Sequence, residues 1–220
     1  LQESDPELLA GFPSTAKLSL EGNDTLVVNV PADHHFGEGS AGETNFLNSI
    51  KQNVSSNSNV NKIKFKTAGE PGIMLGNTGE LTEEPVIKLE HRAYMLVFQK
   101  GNEVPYMVPS TKQFDKIEDA LAAMKNGIED ENLLPSLEPS FALGKIEEKG
   151  GVLHLSLAAD AELKNDIPTL YSFEAILLTA KEFGFKAVKL ENALIDKLGP
   201  FDLKNEINVP NGPNKKEIAK

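Results

Sequence analysis

The stretch Gly151-Val152-Leu153-His154-Leu155-Ser156-Leu157 alternates apolar and polar side chains, as a strand with one buried face requires. After it comes Ser172-Phe173-Glu174-Ala175-Ile176-Leu177-Leu178-Thr179-Ala180, where Phe173, Ile176, Leu177 and Ala180 recur at helical spacing. A second strand follows at Phe185-Lys186-Ala187-Val188-Lys189-Leu190, then a tail at Leu198-Gly199-Pro200-Phe201-Asp202-Leu203. The same order occurs earlier in the chain. Thr25-Leu26-Val27-Val28-Asn29-Val30-Pro31 is a strand, Phe46-Leu47-Asn48-Ser49-Ile50 is helical, Val60-Asn61-Lys62-Ile63-Lys64-Phe65 is a strand, and the tail runs Leu75 to Leu81. A repeat this long predicts two tandem domains rather than a solenoid of short units.

Working outward from these anchors, each repeat opens with a hairpin. Leu143–Glu147 turns through Lys149-Gly150-Gly151 into the strand at 152–157, and Leu18-Ser19-Leu20 turns through Glu21-Gly22-Asn23-Asp24 into the strand at 26–30. In the first copy Leu26, Val28 and Val30 define one buried face, and Asp33 to Gly42 reads as a polar loop. A helix is expected over 43–54 with Phe46, Leu47, Ile50 and Val54 on one stripe, ended by a polar break at 55–59. Ile63 and Phe65 alternate with Lys62, Lys64 and Lys66, giving a strand with one wet face. Residues 6–11 suggest the end of a helix stopped by Gly11.

Glu83 to Glu90 is expected to join the two halves. Tyr94-Met95-Leu96-Val97-Phe98 is a strong strand, and the chain turns at 100–103 and returns over 104–108. Pro105 and Pro109 predict that the returning strand is short or at an edge. Asp115 with Glu118 reads as a capping box opening a helix on Ile117, Leu121 and Met124, which Asn126-Gly127 stops. Leu133 to Pro139 is a loop, Phe183-Gly184-Phe185 ends the second repeat's helix, and Asn205 to Lys220 loses periodicity and reads as a frayed tail. The expected division is a partial first domain over 1–88, a complete second domain over 89–210 of order β-β-α-β-β-α-β, and a tail over 211–220. The fold class is α+β: small mixed sheets with helices packed on one face.

The composition narrows the function classes. Of 220 residues 40% are apolar, a modest share, but they are grouped in periodic segments, so a folded core is expected. A formal net charge of −11 argues against nucleic acid and against anionic lipid as partners, since both need clustered Lys and Arg. There is no cysteine, which excludes disulfides, zinc–thiolate sites and cysteine nucleophiles. No segment reaches the roughly 18 apolar residues of a membrane span. The chain opens at Leu1 and reads as a fragment whose anchor or targeting signal lies upstream.

The residues able to carry chemistry do not assemble into a motif. His34-His35 beside Asp33 lies in a glycine-rich loop, without the three or four converging ligands a metal needs. His154 alternates with two leucines and belongs to an exposed strand face; His91 sits in the linker between Glu90 and Arg92, where a surface charge pair is expected. There is no G-x-S-x-G elbow, no Walker loop, and no G-x-G-x-x-G after a strand. The loop Gly37 to Gly42 precedes a helix, but Glu38 and Glu43 would repel an anion. The acidic groups Glu83-Glu84, Glu129-Asp130-Glu131 and Glu147-Glu148 read as solvated charge at turns, Tyr106 and Phe114 as packing residues, and Asn53-Val54-Ser55 as a chance glycosylation pattern. No catalytic, cofactor-binding or metal residue is assigned.

The second half resembles the GerM domain family. The likeness rests on Tyr94–Phe98, Met107-Val108-Pro109-Ser110, the helix Ile117–Met124, the hairpin strand 151–157, Glu174–Thr179 and Ala187–Leu190. The first half, Lys17 to Val86, is similar to the C-terminal part of a preceding copy. Val108-Pro109-Ser110, Leu177 to Phe185, Glu191-Asn192 and Ile207 to Asn214 resemble the outer part of membrane-anchored anti-sigma factors of the sigma-X type, from Gram-positive bacteria. That resemblance implies a negative regulator of an extracytoplasmic-function (ECF) sigma factor. A cytoplasmic segment and a membrane helix, both outside this sequence, would hold the sigma factor and the membrane; the region itself would sense or contact proteins, among them envelope proteins or a site protease. It implies no catalytic residue and no cofactor.

Overall fold

The computed structural model describes residues 15–36, 38–57, 59–98, 104–131 and 133–213. They form two compact units that divide between Leu89 and Glu90. The expected helix end at 6–11, the turn at 100–103 and the last residues of the tail, 214–220, lie outside the described residues.

In the first unit β1 (Lys17–Glu21) and β2 (Thr25–Val30) form an antiparallel hairpin. Helix α1 (Ser40–Asn57) then crosses over to β3 (Lys62–Thr67), which lies parallel to β2 with Val28 opposite Phe65. Two short strands, β4 (Glu70–Pro71) and β7 (Glu83–Pro85), pair antiparallel with β3. Between them β5 (Ile73–Leu75) and β6 (Gly79–Leu81) make a separate ribbon. The core gathers Leu26, Val28 and Val30, Phe46 and Ile50 from α1, Ile63 and Phe65, then Ile73, Leu75 and Val86.

Two expectations change here. The helix spans Ser40–Asn57, so it takes residues from both the expected loop and the expected polar break. A helix needs continuous backbone bonding, not continuous apolar side chains, and Glu43 N–H already donates to Gly39 C=O at 3.1 Å. Glu83–Pro85 is not a linker but a sheet strand, and Val86 N–H beyond it donates to Asn61 C=O at 2.8 Å.

The second unit opens with the hairpin β8 (Arg92–Val97) and β9 (Tyr106–Gln113), followed by α2 (Ile117–Asn126) and one 3-10 turn (Glu129–Glu131). Next come β10 (Leu143–Lys149), β11 (Val152–Leu157), α3 (Ile167–Glu182) and β12 (Ala187–Leu190). A ribbon of β13 (Lys197–Leu198) and β14 (Phe201–Asp202) leads to β15 (Ile207–Asn208). The main sheet has the order β10-β11-β12-β15, and β11 and β12 are parallel, as β2 and β3 are. Gly150 and Gly151 both take positive φ, 60° and 79°, in the two-residue turn between Lys149 and Val152.

Helix α3 begins earlier than its apolar stripe, because Asp166 caps it by accepting from Thr169 N–H at 3.0 Å and Pro168 fits the first turn. The capping box expected at Asp115 does not form. Helix α2 starts at Ile117, its N-cap is Lys116 without a side-chain cap bond, and Asp115 is one position too early. Burial of Ile117 fixes that start. Gly127 does stop α2, at φ 81°. Strand β9 pairs with β8 alone, as an edge strand does, but it is eight residues long rather than short. The register slips between Arg92 and Tyr94, and Ser110 Oγ bridges the slip by accepting from Ala93 N–H at 3.2 Å and donating to Lys112 C=O at 2.7 Å. The tail expected to fray from Asn205 instead forms β15: Ile207 pairs with Val188 and Asn208 with Ala187.

Candidate interaction surfaces

The polar groups singled out by sequence are mostly tied into the scaffold. Glu43 lies on the first turn of α1, turned inward and buried. Its carboxylate accepts from Asn77 N–H at 2.8 Å, from Thr78 N–H at 3.2 Å and from the Thr78 hydroxyl. Those bonds, from the Thr78 hydroxyl first, hold its pKa below the usual carboxylate value. It therefore clamps the β5–β6 ribbon to α1 rather than facing the glycine loop.

His91 is not in a surface charge pair. It takes a positive φ of 60° and stacks its ring on Phe183 at 4.6 Å. The charge beside it, Arg92, is buried and forms a two-pronged bond to Glu182 at 2.9 Å, with only 6% and 10% of the two side chains exposed. The same strand is bound to α3 and to the loop before β10 by two hydroxyls: Thr179 Oγ1 accepts from Tyr94 N–H at 2.9 Å, and Ser136 Oγ donates to Tyr94 C=O at 2.7 Å. Burial, then the Glu182 carboxylate, push the Tyr94 phenol up to about 12.

His154 is on the sheet face opposite Leu153 and Leu155, but it is not freely exposed. Its Nδ1 bonds Glu191, with 16% of the side chain exposed, and that bond lowers the Glu191 pKa. His35 Nδ1 meets Glu38 at 2.6 Å on the surface, a contact that raises the His35 pKa. His34 stacks on Phe36 at 6.0 Å, and Phe36 on Phe46 at 5.2 Å, so this pair of histidines splits between packing and solvent. Among the described residues no three His, Asp or Glu side chains converge as a metal site.

The acidic groups also have structural partners. Glu84 pairs with Lys51 and Glu83 with Lys62, so they bind β7 to its neighbours. Burial would raise the Glu131 pKa, but bonds from Thr111 and Lys112 prevail and lower it; these bonds pin β9 at 2.7 and 2.8 Å. Glu147 sits between Lys145 and Lys149. Phe114 is buried, Tyr106 half-buried, and Asn53 lies on α1 with its amide on Ser49 C=O. A cavity of about 250 Å³ lies between the start of α2 and β10, lined by the apolar side chains of Ile117, Ile146, Leu153 and Phe183 and by the charged side chains of Asp115, Lys116, Glu118, Glu147 and Glu148.

Two parallel-strand units with crossover helices, joined in tandem, are matched by a solved structure. The tandem GerMN domains of the sporulation protein GerM from Bacillus subtilis superpose with a TM-score of 0.60 at 14% identity, over 91% of this chain and 79% of that one. The chain has the tandem GerMN fold. In sequence it is similar to the anti-sigma-X factor RsiX of Bacillus subtilis (strain 168), at 30% identity over 154 residues. That alignment covers 70% of this chain and 41% of RsiX, so the GerMN pair spans less than half of the curated relative it matches. No family model matches the chain.

Proposed function

We propose that this region is the extracytoplasmic contact region of a membrane-anchored anti-sigma factor that restrains an ECF sigma factor. The observation that carries the reading is the 30% identity to the anti-sigma-X factor over most of the chain. The site chemistry agrees: the buried and paired polar groups serve the scaffold, which suits a region that works by protein contact rather than catalysis. Among the described residues no helix is long and apolar enough to cross a membrane; in this reading the sigma-binding segment and the anchor lie in other parts of the protein. Contact with an envelope protein or a site protease on this region would set whether the sigma factor is held. The test is a full-length protein in which this region is replaced by an unrelated folded domain of similar size. Sigma-dependent transcription should then no longer respond to envelope stress. An unchanged response would refute the reading.

A second reading is favoured by the fold itself, since the matched structure comes from a sporulation protein. Here the region is an assembly module of the spore or cell envelope. Loss of the region would then impair sporulation or germination and leave sigma-dependent transcription unaffected.

A further inference from the structure

Strand β1, Lys17-Leu18-Ser19-Leu20-Glu21, is an edge of the first sheet, bonded to β2 alone. Its register sets Leu18 opposite Val28 and Leu20 opposite Leu26, so both leucines stand on the core side of the sheet. Yet they are 45% and 65% exposed and lie outside the core cluster. The other edges of the two main sheets are blunted. β4 and β7 are two and three residues long and end in Pro71 and Pro85; β15 has two residues. β10 is longer, but its register slips between Leu143 and Ile146, and it carries Lys145 and Lys149. Short strands, prolines, bulges and lysines are the usual guards against edge pairing. Among the described residues, β1 alone on these two sheets is a regular edge of this length with apolar side chains uncovered.

We propose that the chain dimerises through β1, laid antiparallel against β1 of a second copy about a two-fold axis at Ser19. The strand is self-complementary on reversal. Leu18 meets the partner's Leu20, and Lys17 meets the partner's Glu21. Two-fold symmetry makes each contact twice. Lys17, Ser19 and Glu21 share the face away from the core, so the charge pairs form on that face while four leucines gather on the other. Both oxygens of Glu21 already accept from Lys64 Nζ at 2.9 Å, so the partner's Lys17 would share this carboxylate with Lys64 through the remaining lone pairs. The backbone groups along the edge become bonded, and one sheet runs through both copies. The inference stands apart from the anti-sigma reading.

The chain has no cysteine, so Ser19→Cys introduces a sole thiol at the axis, where it faces its own copy. Mild oxidation of the full 220-residue chain should give a covalent dimer from S19C, whereas K145C on the guarded edge stays monomeric. Sedimentation equilibrium supplies the second arm. K17E sets Glu against the partner's Glu21, and E21K sets Lys against the partner's Lys17. Each reversal should raise the dimer Kd about tenfold or more, and an equimolar mixture of the two should associate again as a heterodimer. Recovery in the mixture also shows that both variants are folded. A chain that stays monomeric at high concentration, a Kd unmoved by both reversals, or S19C cross-linking no better than K145C would overturn the proposal.

Discussion

The two crossover helices have the same place in the topology and opposite surroundings. Helix α1 links parallel β2 and β3, and among its described side chains it buries Glu43, Phe46 and Ile50. Helix α3 links parallel β11 and β12 and buries nine residues, from Thr169 to Ala180. The difference comes from what lies on the second side. β8 and α2 pack against α3, where Thr179 accepts from Tyr94 N–H and donates to Met124 Sδ at 3.2 Å. One strand–helix–strand scaffold thus carries an amphipathic helix in the first unit and, where β8 and α2 pack on it, a helix apolar on nearly every side in the second.

That contrast can be broken most sharply in the cores. Phe173→Ala should cost about 3–5 kcal/mol, because Phe173 is wholly enclosed between Phe141 and Phe201. Phe46→Ala should cost less than this, about 2–3 kcal/mol, since half-buried Phe36 stacks on Phe46 and can settle into the space. Denaturant titration of both variants checks it; equal losses would show that α1 is as firmly packed as α3.

Ion pairs give the next contrast. Removing one partner of a buried pair leaves the other charge without water, so Arg92→Ala should destabilise the second unit by about 3–5 kcal/mol. Lys51→Ala, which breaks the part-exposed pair with Glu84, should cost at most about 1 kcal/mol. Thermal unfolding followed by near-ultraviolet circular dichroism would separate the two.

The smallest contrast is in pH. Glu43 has a folded pKa below its unfolded value, so its contribution is complete above about pH 4.5 and is lost as pH falls through the lowered folded value. Glu174 on α3 has a pKa raised by burial, so its ionisation in the folded state opposes stability, and acidification through the raised value relieves that cost. Glu43→Gln should therefore flatten the acid-induced loss of stability. Glu174→Gln should instead stabilise the protein at neutral pH and leave its acid limb nearly unchanged. Stability against pH for the two variants, measured by urea unfolding, would expose a wrong sign in either.

Much of this was legible in the sequence, and the failures share a cause. The hairpins, the core strands and the stripes on α1 and α3 follow from periods of two and 3.6, which need only local information; that β2 and β3, and β11 and β12, pair in parallel came from the structure. The false cap at Asp115 satisfied the local pattern, but burial of Ile117 decided where α2 starts. The tail strand β15 has only two residues and no period to read; its partner in β12 defines it. The long-range polar pairs were missed for the same reason. Glu43 meets Thr78 35 positions on, Arg92 meets Glu182 90 positions on, and His154 meets Glu191 37 positions on. A carboxylate at a helix start reads as solvated charge until its partner is known.

As the extracytoplasmic contact region proposed above, the scaffold would face the outside of the cell. A single cysteine at exposed Lys145 in the full-length protein tests it, with a membrane-impermeant thiol reagent applied to intact cells. The account predicts labelling of the cysteine in whole cells, equal to that after lysis. Labelling only after lysis would place the region inside and contradict it.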